Sequence, residues 1–206
     1  MKTIVRLGNI ARSRFNELTI KDFIKLTAVS LFRNDSIIVY ALDLSKIGED
    51  SQDRCKEFTI RKGNLLEIGR LRNSQKFAYW EFNCDKYDGV KDFYISIYNE
   101  SLQHISWIYY RKDPNRILRL GKYDAEIKYC LTLPEYRGRG IYPMILTSIA
   151  SYLRAKGFRN LFICVEKNNI ASIRGIEKAG FQALRTIKLI KLFGIQLSRK
   201  LDVDKA

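Results

Sequence analysis

Hydrophobic positions fall into two periods along the chain. Runs that alternate at period two, or are continuously apolar and short, predict strands at Ser36–Leu42, Tyr94–Tyr98, His104–Tyr110, Glu126–Leu133 and Leu161–Val165. Ala183–Ile190 and Phe193–Leu201 read as a closing hairpin turned at Leu192-Phe193-Gly194, and Asn99 to Gln103 reads as the turn of an earlier one. Elsewhere the period lengthens to three and four. Ile141, Ile145, Ile149 and Tyr152/Leu153 predict a helix from Ile141 to Lys156, stopped by Gly157. A strand, a cap and a helix are predicted from Glu57 through Asn64 to Leu71, and a further helix over Ile170–Ala179, with Asn169 as its cap and Gly180 as its stop. Near the start, Phe15, Leu18, Phe23, Leu26 and Leu31/Phe32 lie at helical spacing with Arg14, Lys21 and Lys25 between them. Such a stretch either packs on its own domain or lies on a membrane surface.

Strands interleaved with helices give an α/β class. The polar run Gly48–Arg54 divides the chain into an N-terminal extension, residues 1–55, holding the amphipathic helix and one strand, and a main domain, residues 56–206. With 206 residues and 46% hydrophobic composition, one sizeable core is expected. No basic-then-apolar leader and no run of ~20 apolar residues is seen, so a cytoplasmic location is expected. The four cysteines, Cys55, Cys84, Cys130 and Cys164, show no zinc or redox spacing, and no metal site is expected. A formal charge of +15 is compatible with anionic small molecules, with peripheral attachment to the anionic inner face of a membrane, or with a basic surface that serves no single partner. Nucleic acid is not expected as a partner, since no recognisable binding motif accompanies the charge.

The chemistry concentrates in Leu131-Thr132-Leu133-Pro134-Glu135-Tyr136-Arg137-Gly138-Arg139-Gly140-Ile141-Tyr142-Pro143. A doubly basic, glycine-rich turn here joins a strand to the start of a helix. The first turn of a helix carries N–H groups without intrahelical partners and the positive end of the macrodipole. Glycines let backbone approach a phosphate closely. The run reads as a pyrophosphate cradle; the plainer alternative is a basic surface turn. It is neither a Walker loop nor a dinucleotide fingerprint.

The cradle and the later block Asn169-x-x-Ser172…Lys178-Ala179-Gly180-Phe181 together resemble the GNAT superfamily of acyl-CoA-dependent N-acetyltransferases. The family's Arg/Gln-x-x-Gly-x-Gly/Ala is matched as Arg137-x-x-Gly140-x-Tyr142. The resemblance implies a mixed, largely antiparallel central sheet flanked by helices, over residues 56–206, and acetyl-CoA as co-substrate. It further implies that main-chain groups of Cys130, Leu131 and Thr132 pair with the pantetheine arm. The N–H groups of Arg137, Gly138, Arg139, Gly140, Ile141 and Tyr142 would hold the pyrophosphate. Asn169 would contact the cofactor or simply cap its helix.

Direct transfer to an amine needs an oriented carrier, a base for the ammonium proton and stabilisation of the charge developing at the carbonyl. Glu126, in the setting Ala125-Glu126-Ile127 used by some family members, is the first candidate base. It is expected on the same strand face as Lys128 and Cys130. His104, the sole histidine, is the second. Two departures stand out. Alignment on Gly180-Phe181 puts Ile176 where many relatives carry a tyrosine that protonates the departing thiolate, and Tyr142 replaces a small residue. Tyr129 or Tyr142 could take the donor's part, or the thiolate could leave without one. The small-molecule acceptor is read as an amino sugar or its nucleotide-linked form, because the local wording resembles bacterial members near surface-glycan genes. A protein or peptide amine, or a non-catalytic CoA- or nucleic-acid-binding role, are the alternatives. The sequence leaves the oligomeric state open.

Overall fold

The computed structural model describes residues 32–48, 58–74, 79–99, 101–114, 116–192 and 195–202. Along them run β1 (Phe32–Asp43), β2 (Thr59–Lys62), α1 (Leu65–Ser74), α2 (Cys84–Asp88), β3 (Phe93–Tyr98), β4 (Ser101–Tyr109), β5 (Asp124–Thr132), α3 (Ile141–Ala155), β6 (Asn160–Glu166), α4 (Ile170–Lys178), β7 (Gln182–Leu192) and β8 (Ile195–Asp202). The amphipathic stretch before Phe32 lies outside the described residues, as do the polar run beyond Gly48 and the closing turn at residues 193–194.

The described strands make one sheet in the order β2-β3-β4-β5-β6-β1-β7-β8. β5 and β6 are parallel; every other neighbouring pair is antiparallel. This is the α/β class expected from the pattern, in the mixed, largely antiparallel form that the resemblance implies. The strand expected within residues 1–55 is β1, and it stands inside the sheet, between β6 and β7. Its composition explains why: Ile37 and Val39 are buried on one face, while Tyr40 on the other is buried with Ile38 and Leu42 packed beside it. A strand apolar on both faces needs cover on both. The first hairpin differs from expectation in its turn. Ser101, Leu102 and Gln103 belong to β4, and the chain reverses beside Asn99, whose φ of 46° is the left-handed value that asparagine tolerates.

Two apolar layers cover the sheet. On one side α3 presents Ile141, Ile145, Leu146, Ile149, Ala150 and Leu153 to Ile108, Ala125, Ile127, Leu161 and Ile163. These are the positions that the three-and-four spacing selects. Each fully buried aliphatic side chain here contributes about 1.5–3 kcal/mol of hydrophobic stabilisation. α4 joins this layer through Ile176 and is tied to β1 by the Tyr40 hydroxyl, which donates to Glu177 Oε1 at 2.8 Å. On the other side α1, α2 and the 3-10 turn Trp80–Asn83 cover β3 and β4 through Ile68, Phe82, Phe93 and Trp107. There the Arg72 guanidinium pairs with Asp85 and donates to the Phe82 carbonyl. Further along this second side, Leu118 and Leu120 of the loop before β5 pack on Ile37, Val39 and Ile187.

Candidate active site

β5 and β6 pair only from Asp124↔Asn160 to Ile127↔Ile163, although β5 continues to Thr132 and β6 to Glu166. Beyond Ile127 the two strands part, and main-chain groups of β5 on that edge face a gap. On its other edge β5 carries a bulge: Ile105 pairs with Leu131 but Trp107 pairs with Lys128, and Tyr129 takes a φ of 54°. Left-handed backbone at a bulky residue costs of order 1–3 kcal/mol and persists only where the surroundings impose it. Here the Tyr129 ring is held edge-on against Trp80 at 4.4 Å and against Tyr109 at 5.7 Å.

The bulge corrects one expectation. Glu126 and Lys128 do lie on one side of the sheet, the α1/α2 side: Lys128 Nζ sits over the rings of Tyr109 and Tyr129 at 5.0 and 4.7 Å. The inserted residue then breaks the alternation. Tyr129 stays on that side and Cys130 turns to the α3/α4 side. Glu126 and Cys130 therefore face opposite ways.

Glu126 is wholly buried. Its Oε2 accepts from the backbone N–H groups of Ile117 and Leu118 at 3.2 and 3.3 Å, while Oε1 has no hydrogen-bond partner. Burial pushes its pKa up, against the nearby positive charge of Lys128 and these two N–H donors. A desolvated carboxyl beside a strand gap is what a general base operating near neutrality requires.

His104 is on the other side of the sheet, stacked on the Tyr142 ring at 5.5 Å. Its Nδ1 is 2.6 Å from Thr132 Oγ1 and its Nε2 is 2.7 Å from Ser106 Oγ. A neutral imidazole offers one donor and one acceptor, and hydroxyls serve as either, so both nitrogens are satisfied. Burial holds its pKa down at about 3. A neutral, fully partnered ring fits a structural role better than a base's.

This makes a testable stability statement. The unfolded histidine takes up a proton near its ordinary value, and the folded one resists until about pH 3. His104 thus favours folding above about pH 6.5, and the contribution fades as pH falls through that window, by about 1.4 kcal/mol per pH unit at most. Chemical denaturation from pH 7 to pH 4 should show this loss, and His104→Gln should flatten it.

The glycine-rich turn leads directly into α3. Gly138 and Gly140 have φ of 80° and 74°, and Gly140 is the N-cap of α3, with no side chain capping the helix. A Cβ at Gly138 would meet nothing within 4 Å, and one at Gly140 would meet only Met144 Cε at 3.8 Å. The space over these glycines is open and the amides of the first helical turn border it. Arg137 is exposed and its Nε donates to the Thr132 carbonyl at 3.1 Å; Arg139 lies over the Tyr136 ring at 5.5 Å. Asn169 caps α4, accepting from Ser172 N at 3.2 Å. Open backbone donors, two guanidinium groups and a widening strand gap make a set of residues that fits an acyl-CoA.

Residues 65–181 match the sequence model of the Acetyltransferase (GNAT) family. The chain belongs to this family. Its fold is similar to that of several solved GNAT structures. One is an acetyltransferase from Novosphingobium aromaticivorans, 20% identical, with a TM-score of 0.52 over 79% of this chain and 66% of that one. Another is a GCN5-related N-acetyltransferase from Sphaerobacter thermophilus, 15% identical, with a TM-score of 0.57 over 88% and 56%. A third is the GCN5-related glucosamine N-acetyltransferase region of a fungal multi-domain β-N-acetylglucosaminidase, 14% identical, with a TM-score of 0.54 over 82% and 22%. The chain spans less than two thirds of the length of each of these. No curated protein matches the sequence significantly. The matched GNAT region begins after β1, yet β1 completes the sheet that carries it.

The candidate residues Cys130, Leu131 and Thr132 and the glycine turn thus lie around the strand gap, with Glu126 on one side of the sheet and His104 and Tyr142 on the other. Sequence reasoning missed Ser106 and Gly175. A lone glycine inside a helical pattern was the available signal for Gly175. Nothing in the pattern marked Ser106. Among the described residues no helix is long and apolar enough to cross a membrane, and no cluster of metal-ligating side chains occurs.

Proposed function

We propose that the protein is an acetyl-CoA-dependent N-acetyltransferase that moves the acetyl group directly to a primary amine. The observation that carries this reading is the open N-terminus of α3 lying beside the gap between β5 and β6. Acetyl-CoA supplies an activated thioester carbonyl. The backbone N–H groups of Arg137 to Tyr142 bind its diphosphate, with Arg137 and Arg139 adding charge. The β5 edge at Cys130, Leu131 and Thr132 pairs with the amide-bearing arm. Glu126, on the far side of the sheet, takes the proton of the attacking ammonium group, directly or through water. The acceptor therefore approaches from the α1/α2 side, where Trp80, Tyr129, Tyr109 and Lys128 cluster.

That aromatic and cationic surroundings favour an acceptor with an apolar ring face and negative charge, which a nucleotide-linked amino sugar offers. A GNAT fold serves an amino-sugar acetyltransferase in the fungal glucosamine N-acetyltransferase region. A formal charge of +15 suits such an anionic acceptor, and suits attachment to an acidic membrane surface from the cytoplasm.

The test is a thiol-release screen with acetyl-CoA over free amino sugars, their nucleotide-linked forms, amino acids and peptide amines, run beside calorimetric titration of CoA. Saturable CoA binding and release with the nucleotide-linked sugars is the expected result. Turnover confined to peptides would transfer the acceptor to that class. Absence of CoA binding would end the acetyltransferase reading.

A further inference from the structure

Glu126 accounts for the proton taken from the amine and leaves open the proton that the departing sulfur needs. Ile176, wholly buried in the apolar layer of α3 and α4, has nothing to give. His104 has both nitrogens engaged by hydroxyls. Tyr129 lies on the amine side, among Trp80, Tyr109 and Lys128. Tyr142 is different. Although it stands in the first turn of α3, its ring turns inward. It stacks on His104, and its Cδ1 lies 2.6 Å from where a Cβ on Gly175 would be. α4 can approach so closely only because residue 175 is glycine. The Tyr142 side chain lies beside that of Cys130, as does Ser106. Hydrogen bonds thus link Thr132, His104 and Ser106, the Tyr142 ring stacks on His104, and Cys130 beside them stands where β5 borders the gap.

We propose that Tyr142 donates the proton to the leaving sulfur, from the side of the sheet opposite to Glu126. The proposal rests on the reading that the cradle and strand gap hold acetyl-CoA. As the carbon–sulfur bond breaks, its electron pair goes to sulfur and the Tyr142 O–H proton joins it. The ammonium nitrogen has by then shed one proton to solvent through Glu126 before bonding to the acyl carbon, and a second to Glu126 after it. Once the thiol has left, the tyrosinate regains a proton from solvent and Glu126 gives its own up to solvent, so amide, thiol and one proton are the net products. Burial raises the pKa of Tyr142 well above the usual phenol value, so the group enters each cycle protonated. The sheet would then separate the two proton transfers, one on each face, with the strand gap joining them.

The experiment compares wild type, Tyr142→Phe, Tyr142→Gly and protein carrying 3,5-difluorotyrosine at position 142. The readouts are turnover with the best acceptor of the screen, CoA affinity by calorimetry, and ultraviolet titration of the fluorinated residue. Tyr142→Phe should lose about 10- to 100-fold in kcat with CoA affinity within about twofold. The fluorinated protein should keep turnover, its alkaline limb moved down by about one pH unit or more, and bound CoA should shift its phenol titration. Two results overturn the proposal while leaving the transferase reading intact: wild-type kcat in Tyr142→Phe, or Tyr142→Gly binding CoA more tightly and turning over faster, which would make the ring an obstruction. A wild-type protein that neither binds CoA nor releases thiol overturns the parent reading and this proposal together.

Discussion

Replacing Glu126 by glutamine is expected to lower kcat/KM by about two to four orders of magnitude, the range that a positioned general base supplies, while the protein stays folded. The amide preserves the volume of the carboxyl and keeps an oxygen for the N–H groups of Ile117 and Leu118, so the loop over it should hold its place. Stability separates a catalytic role from a structural one. A buried carboxyl whose pKa is raised binds its proton more tightly folded than unfolded. Folding therefore weakens as pH rises from the ordinary carboxylate range through the raised value. The variant lacks this titration, so its denaturation midpoint should vary less with pH across that interval and should equal or exceed that of wild type at its upper end. Lost turnover with preserved or improved stability assigns the base. Unchanged turnover in Glu126→Gln, with turnover abolished in a folded His104→Gln, would move the role to His104.

The second large effect is expected at Gly140. Valine there meets two obstacles: a φ of 74°, which a β-branched residue adopts at a cost of about 1–3 kcal/mol, and a side chain projecting into the cradle. CoA affinity should fall by about 100-fold or more, since the ligand loses both phosphate access and well-aimed amides. Thermal stability should fall by no more than the backbone strain. Arg137→Ala and Arg139→Ala remove charge and leave the backbone intact, so their losses should be several-fold and should shrink with added salt. Calorimetry at two ionic strengths checks the contrast. Equal losses in all three variants would mean that side-chain charge, and not the start of the helix, holds the ligand.

Much of the scaffold was legible because the signals were local. The helix over Ile141–Ala155 is marked by its apolar stripe, and α4 by Asn169 at its start and Gly180, with a φ of 87°, after its end. The turn into α3 was legible for a similar reason, since the glycines at 138 and 140 that take positive φ stand out in the sequence. The position of β1 was not. Its composition shows a strand buried on both faces, but pairing with β6 and β7 spans most of the chain and no local pattern encodes that choice. The bulge at Tyr129 was hidden too, because tyrosine does not advertise a left-handed backbone. Alternation carried across it puts Cys130 on the wrong side. That one inserted residue decides which groups share the Glu126 side of the sheet and which share the Tyr142 side. Tyr142 was ambiguous for the opposite reason: its position was fixed by the motif, and the direction of its ring depended on Gly175, thirty-three residues later.

The seating of β1 has a bearing on synthesis. β1 is made well before β7, and its second edge stays uncovered until β7 arrives. Until then the strands from β2 to β1 can pair among themselves, but β1 leaves them one raw margin, of the kind that invites pairing between chains. Assembly of this sheet is therefore bound to run late and slowly relative to helical proteins of equal size. Transient chaperone shelter during translation, and low yield from truncations that end before residue 182, are what such an ordering entails.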